Sequence, residues 1–373
     1  MIIFRTLPKL MKNFCLGVMF LVLTYFVLVG ELNKREAKIK ISGEPFVYDI
    51  GELSPFIIIV CNELNASQTS SFRRQKEQIT VLLKSAASLT KTVLRFLVVT
   101  DTEDSYNEVV SIPETWPKNF QRRIVMERRT VWYPPDREQM KNLLRPCSSA
   151  RLFLPEILTD LDSAILVDTD ALFLSPPEEL LTKIYHFDDK QAVGVAQTSS
   201  GYDFLHRMIP YVKPRGANTG VMVMNLTRLR SLPGGWTGTT LNAFDTFRKR
   251  IGGTATNDIV NIALALNPDL VYTLSCVWNY GPGACWRGEN TCQESEVMGC
   301  SLLHGTSAAF VSRKNPKFKA VYEAWKDHEM GSPLSTLLDS IKWRIEADNS
   351  AAVRCNALEN LDFMFTQALE RLV

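Results

Sequence analysis

Apolar residues along this chain collect in short unbroken runs, separated by longer stretches in which apolar and polar positions alternate. Phe56-Ile-Ile-Ile-Val60, Arg95-Phe-Leu-Val-Val99, Ala164-Ile-Leu-Val167, Ala192-Val-Gly-Val-Ala196 and Val221-Met-Val-Met-Asn225 have the length and branching of strands buried on both faces. Arg123–Met126, Val271–Leu274 and Ser301–Gly305 are shorter candidates of the same kind. Between them, Gln75–Ser88 places Ile79, Leu82, Leu83 and Ala86 on one helical face, and Cys147–Leu158, Glu178–Ile184, Leu241–Arg250, Ile259–Leu266 and Phe318–Trp325 also read as helical. Strands alternating with helices predict an α/β fold, a mostly parallel, doubly wound sheet with a layer of helices on either face. Arg215–Gly220 reads as a polar turn before its strand, and Asn257-Asp258 stand where a helix N-cap is expected.

One strand of this pattern ends unusually. Ala164–Val167 runs straight into Asp168-Thr-Asp170, after which Leu172-Phe-Leu resumes the apolar pattern. Desolvated carboxylates are costly unless something positive faces them. In extended backbone, side chains two residues apart point the same way, ~6–7 Å apart, so both acids can converge on one divalent cation. On this stretch alone, a turn-capping aspartate beside an unrelated one is an equal reading. His304, one of only four histidines, ends another apolar run just before a glycine. With Asp168 and Asp170 it makes an O/O/N set with open positions, suited to manganese or another first-row ion.

Composition narrows the class. The chain has 373 residues, 46% hydrophobic and 22% charged, as globular proteins do, and its net charge of +2 favours no nucleic-acid partner. Before Glu31, the window from Asn13 to Gly30 carries no charge and approaches the lower length limit of a membrane span. We read residues 1–12 as a cytoplasmic tail, 13–30 as a signal-anchor helix and 31–54 as a stem. Residues 55–330 form the globular domain and 331–373 a helical extension. A cleaved signal peptide is the rival for 13–30, although no small-x-small site follows. Apart from Cys15, the eight cysteines leave an odd seven, four of them within Cys276–Cys300. Without a C-x2-C pair, disulfides in an oxidising compartment with at least one unpaired thiol are expected ahead of a zinc site. Asn65-Ala-Ser67 and Asn225-Leu-Thr227 are glycosylation sequons.

Competing chemistries lack their motifs. There is no G-x-S-x-G elbow and no glycine loop of the G-x-x-x-x-G-K or G-x-G-x-x-G type. A haloacid-dehalogenase phosphatase has its D-x-D near the domain start and a small-residue turn after it, whereas here a long globular stretch precedes it and Leu172-Phe-Leu follows.

Six segments occur in a specific order: Arg145–Pro155, Leu166-Val-Asp-Thr-Asp170, Asn218-Thr-Gly-Val-Met-Val-Met-Asn225, Cys276-Val-Trp-Asn-Tyr280, Leu303-His-Gly305 and Lys314-Asn-Pro-Lys-Phe-Lys-Ala-Val-Tyr-Glu323. In these the chain resembles the family 8 glycosyltransferases of GT-A fold, and within them it is most similar to the glucoside xylosyltransferases. The resemblance covers about residues 56–325. It implies a retaining, manganese-dependent enzyme that moves xylose from UDP-xylose in α1,3 linkage to O-glucose on EGF-repeat glycoproteins. It also implies a single-pass type II protein of the Golgi or endoplasmic reticulum membrane with a luminal catalytic domain. Asp168, Asp170 and His304 match the family's metal ligands. Arg151 matches an arginine that contacts the donor through phosphate or sugar oxygens, Lys314 a lysine that reaches the diphosphate, the Cys61-Asn62 strand end the uridine-binding position, and Asn218 an asparagine facing the donor sugar; Gly305 would permit close backbone approach to phosphate.

Two departures stand out. Thr254-Ala-Thr-Asn257-Asp258 replaces the family's Gly-Asp-Gln-Asp, so Asn257 is one methylene shorter than the glutamine near the anomeric carbon, and Asp258 keeps the last carboxylate. Thr306-Ser307-Ala308 replaces Asn-Arg-Gly. A luminal UDP-sugar-binding pseudoenzyme is therefore the alternative.

Overall fold

The computed structural model describes residues 54–62, 69–137, 140–141, 147–198, 208–251, 255–285, 288–347, 355 and 358–373. The expected tail (1–12), anchor (13–30), nearly all of the stem, the Asn65 sequon, Arg145 and Thr254 lie outside these residues. Among the described residues, no helix is long and apolar enough to cross a membrane.

In chain order the strands are β1 (Phe56–Ile59), β2 (Leu94–Thr100), β3 (Ile124–Thr130), β4 (Ser163–Val167), β5 (Ala171–Phe173), β6 (Val193–Gln197), β7 (Ala217–Asn225), β8 (Val271–Thr273) and β9 (Leu302–His304). Seven form one sheet in the order β3-β2-β1-β4-β7-β6-β8, and β5 pairs with β9 in a second. The pairs β1–β2, β1–β4, β2–β3 and β6–β8 are parallel, so the sheet is mostly parallel, as the alternating pattern requires. Only β7 runs against its neighbours, β4 and β6. Its reversal has a consequence for chemistry. With Val167 paired to Val221, the start of β7 lies at the same edge of the sheet as the end of β4.

Each apolar run feeds two cores, because successive side chains leave opposite faces of a strand. Ile165 and Val167 enter one, with α1 (Thr69–Leu89) and three helices from the last part of the chain. Ala164 and Leu166 enter the other, with α2 (Gly235–Phe247) and α3 (Ala255–Ala265). The first core also takes α4 (Pro316–Asp327), α5 (Leu334–Glu346) and α6 (Leu361–Glu370), so Leu337, Ile341 and Phe365 share it with Phe56. The helical face expected of α1 is buried entirely: Ile79, Leu82, Leu83 and Ala86 are all 0% exposed.

Two local expectations are corrected. Asn218-Thr-Gly220 belongs to β7 and not to a turn before it. These are turn-forming residues, but Asn261 of α3 holds the strand start at both ends: its Oδ1 accepts from the Ala217 N–H at 2.7 Å, and its Nδ2 donates to the Ala217 carbonyl at 2.8 Å. Helix α3 starts at Ala255, so Asn257 is inside its first turn and is not the cap. The side chain that looked like a cap is used elsewhere: Asn257 Oδ1 accepts from the Thr219 N–H at 3.1 Å and from Thr219 Oγ1 at 2.8 Å.

Disulfides form as the cysteine content implied. Cys61–Cys147 ties the end of β1 to the segment Ser148–Phe153, Cys276–Cys292 closes the expected loop, and Cys285–Cys355 joins that loop to the C-terminal helices. Cys300 is the free thiol among the described residues and is buried. Asn225, in the second sequon, caps the helix Leu226–Arg230 by accepting from the Arg228 N–H at 2.9 Å.

Candidate active site

Asp168 leaves the end of β4 with its N–H on the Gly220 carbonyl of β7 at 2.8 Å. The chain then turns instead of extending, since the Ala171 N–H returns to the Asp168 carbonyl at 3.2 Å. This corrects the geometric premise above: a tight turn, and not strand alternation, brings the two carboxylates together. Strand β5 follows and pairs antiparallel with β9, setting Ala171 opposite His304. That register carries the histidine, more than a hundred residues further along the chain, to the same spot. One ligand atom from each of Asp168, Asp170 and His304 lies within 4.8 Å of the others. His304 Nε2 is 3.5 Å from Asp168 Oδ2 and 3.3 Å from Asp170 Oδ1.

Electrostatics favour charge separation here. Burial pulls the His304 pKa down, but hydrogen bonds to Asp168 and Asp170 and their charges pull harder, raising it to about 9. Burial pushes the Asp168 carboxyl up, yet Arg151 and His304 outweigh it and hold it below its ordinary range. Two carboxylates and one imidazole nitrogen around a common point fit a divalent cation. Such an ion would supply the positive charge the imidazolium otherwise provides, and would displace the Nε2 proton.

Arg151 sits on Ser148–Phe153, and its nitrogens reach the chain itself. Nη2 donates to Asp168 Oδ1 at 2.7 Å, Nη1 to the Thr219 carbonyl at 3.2 Å and to Thr219 Oγ1 at 3.3 Å, and Nε to the Ser148 carbonyl at 3.2 Å. Because Thr219 is also bonded to Asn257, a continuous path runs from Asn257 through Thr219 and Arg151 to Asp168. Asn218 Oδ1 accepts from the Gly220 N–H at 3.0 Å. Asp258 is 0% exposed in the first turn of α3.

The remaining expected residues are placed differently. Cys61 is in a disulfide, and the Asn62 N–H faces Asp101 Oδ1 at 3.5 Å. At Gly305 a Cβ would lie 2.5 Å from the Phe310 ring, so packing already requires a glycine there. Lys314 is exposed, and its N–H donates to Ser312 Oγ at 3.1 Å. Sequence reasoning overlooked Thr219 and Asn261, hidden in a segment read as a turn and in a helix interior. It also passed over Asn279, although it quoted the Cys276–Tyr280 segment that holds it.

The chain matches no family model. A glucoside xylosyltransferase 1 of Danio rerio is 31% identical to it over 310 residues, covering 79% of this chain and 75% of that protein. The chain belongs to the glucoside xylosyltransferase family. A second member, glucoside xylosyltransferase 2 of Mus musculus, is 34% identical over 269 residues, 67% of this chain and 59% of that protein. The fold has solved counterparts too. The galactosyltransferase LgtC, crystallised with donor and acceptor sugar analogues, superposes with a TM-score of 0.52 at 14% identity, covering 75% of this chain and 97% of that one. This places the α/β sheet among the GT-A glycosyltransferases, with the Asp-Asp-His cluster at the sheet edge where members of such folds bind ligands.

Proposed function

We propose that this protein is a retaining glycosyltransferase that moves xylose from UDP-xylose in α1,3 linkage to O-linked glucose on EGF-repeat glycoproteins. The observation that carries the reading is the convergence of Asp168, Asp170 and His304 in a chain of the glucoside xylosyltransferase family. Mn2+ is the ion we assign to them. When bound, it supplies Lewis-acid stabilisation of the charge that develops on the departing UDP.

The chain's own residues do the rest. Asp168 is held in place by Arg151, and Asp170 by the Gly305 N–H, which donates to its carbonyl at 2.6 Å. Asn257 starts the hydrogen-bonded path that ends at Asp168, and Asn218 precedes Thr219 on β7; we assign both to the sugar side. No additional carboxylate is required in the reading we favour. The acceptor hydroxyl attacks the anomeric carbon on the face the diphosphate leaves, the glycosyl–oxygen bond to UDP breaks, and the hydroxyl proton passes to the leaving phosphate oxygen. A cleft of about 320 Å3 lined by Gln197, Arg215, Asn279 and Glu294 is the acceptor entry we favour. Three disulfides support an oxidising compartment. The luminal, type II placement in Golgi or endoplasmic reticulum, anchored by residues 13–30, is part of the same proposal.

The test uses the full chain with Mn2+, an O-glucosylated EGF repeat and a panel of UDP-sugars. Xylose transfer from UDP-xylose alone is the expected result. Tight Mn2+ and UDP binding without transfer or hydrolysis of any donor would instead establish a binding protein, the outcome that the shortened amide at Asn257 makes worth testing.

A further inference from the structure

His304 is fixed by two residues outside the expected ligand set, Asn279 and Gly220. Its Nδ1 lies 2.8 Å from Asn279 Oδ1, and the amide Nδ2 of Asn279 reaches the Asn218 carbonyl at 3.2 Å. Asn279 is 6% exposed and belongs to the short helix Cys276–Asn279 of the disulfide-closed loop.

The direction of these bonds can be deduced. A main-chain carbonyl only accepts, so the NH2 end of the Asn279 amide must face Asn218. The other end is then the amide oxygen, which also only accepts, so the partner nitrogen of His304 must carry the proton. Nδ1 is thereby committed as a donor, and Nε2 is the nitrogen that faces Asp168 and Asp170. Gly220 of β7 also lies against the ring: a Cβ built there would fall 1.9 Å from Cε1, between the two ring nitrogens. The ring is therefore held by an amide that sets its tautomer and a glycine that sets its position.

We propose that Asn279 is a positioning residue for the metal site, holding His304 as the Nδ1–H tautomer so that Nε2 is presented to the cation. This rests on the assignment of the cation to Asp168, Asp170 and His304. The bond to the Asn218 carbonyl makes the device a bridge as well, since it anchors the cysteine loop to the strand whose Asn218 lies on the sugar side. Residues that fix the far nitrogen of a metal-bound histidine commonly change metal affinity about 10–100-fold when removed.

The experiment measures Mn2+ affinity of the full chain by electron paramagnetic resonance, without donor, for the wild type, Asn279→Leu and Asn279→Asp. Thermal melting in metal-free buffer serves as the folding control. Leu matches the volume and loses the acceptor; Asp keeps an acceptor for Nδ1–H. We expect Asn279→Leu to lose at least about ten-fold in affinity and Asn279→Asp to recover most of it. Equal affinity of Asn279→Leu and wild type, or weaker binding by Asn279→Asp than by Asn279→Leu, would overturn the proposal, because a packing role favours the apolar variant. If Asn279→Leu does not fold, Asn279→Ala replaces it with the same two outcomes. Failure of the wild type itself to bind Mn2+ would overturn the metal assignment, which separates the two claims.

Discussion

The Asp168/Asp170/His304 cluster and the segment that follows it at Gly305–Lys314 were both expected to handle the donor diphosphate, yet the structure builds them in different ways. The cluster is set by long-range register: β4 against β7 places Asp168, and β5 against β9 delivers His304 beside Asp170. Further residues then reinforce it, Arg151 on Asp168 and Asn279 on His304. The Gly305–Lys314 segment is set by local turns, with Gly305 making room for Phe310 and Lys314 at the surface. Strand register is costly to slip because every side chain would change face, whereas a loop lysine can move at little cost. Under the proposed function, the contrast makes the cation site rigid and the phosphate side adaptable.

The largest effect expected from breaking this contrast is at Gly220. Gly220→Ala would drive a methyl group into the His304 ring. Displacing a ligand should cost about 10–100-fold in Mn2+-dependent UDP binding, checked by calorimetric titration of UDP with and without Mn2+.

The next effect is on pH dependence. The His304 pKa rises from 6.5 to about 9 in the folded, metal-free chain. A raised pKa means that protonation stabilises the fold: the contribution is complete below about 6.5 and is lost as pH climbs through about 9. Mn2+ competes with that proton, so its affinity should climb over the same interval, by up to about ten-fold per pH unit. Melting curves of the metal-free protein and Mn2+ titrations from pH 6 to 9.5 should therefore move in opposite directions.

Smaller still is Gly305→Ala. The Cβ would press on Phe310, lowering stability by about 1–3 kcal/mol in denaturant titration and changing Mn2+ affinity far less than Gly220→Ala does. The smallest effect belongs to Lys314→Ala. For an exposed charge, a loss of about five-fold or less in UDP-xylose affinity is expected, measurable as a rise in donor KM.

Much of this was readable in the chain. Continuous apolar runs such as Phe56–Val60 can hardly be anything but strands covered on both faces, and their alternation with helices led to the mostly parallel sheet. The convergence of Asp168, Asp170 and His304 was readable because acids and a histidine at the ends of buried runs are conspicuous exceptions. Other features were hidden for physical reasons. Asn218-Thr-Gly220 has turn composition, and only the bonds from Asn261 show why it is strand. Asn257 resembled a cap until Thr219 was found to hold its side chain. The role of Asn279 depends on two partners at sequence distances of 25 and 61, which no local pattern records.

The most direct measurement of the central claim is Mn2+ and UDP binding to Asp170→Ala compared with the wild type, both checked for folding by circular dichroism. The account predicts that wild type binds UDP far more tightly with Mn2+ than with a chelator, and that Asp170→Ala, still folded, loses this Mn2+ dependence. UDP affinity in the variant equal to that of the wild type in Mn2+ would contradict it.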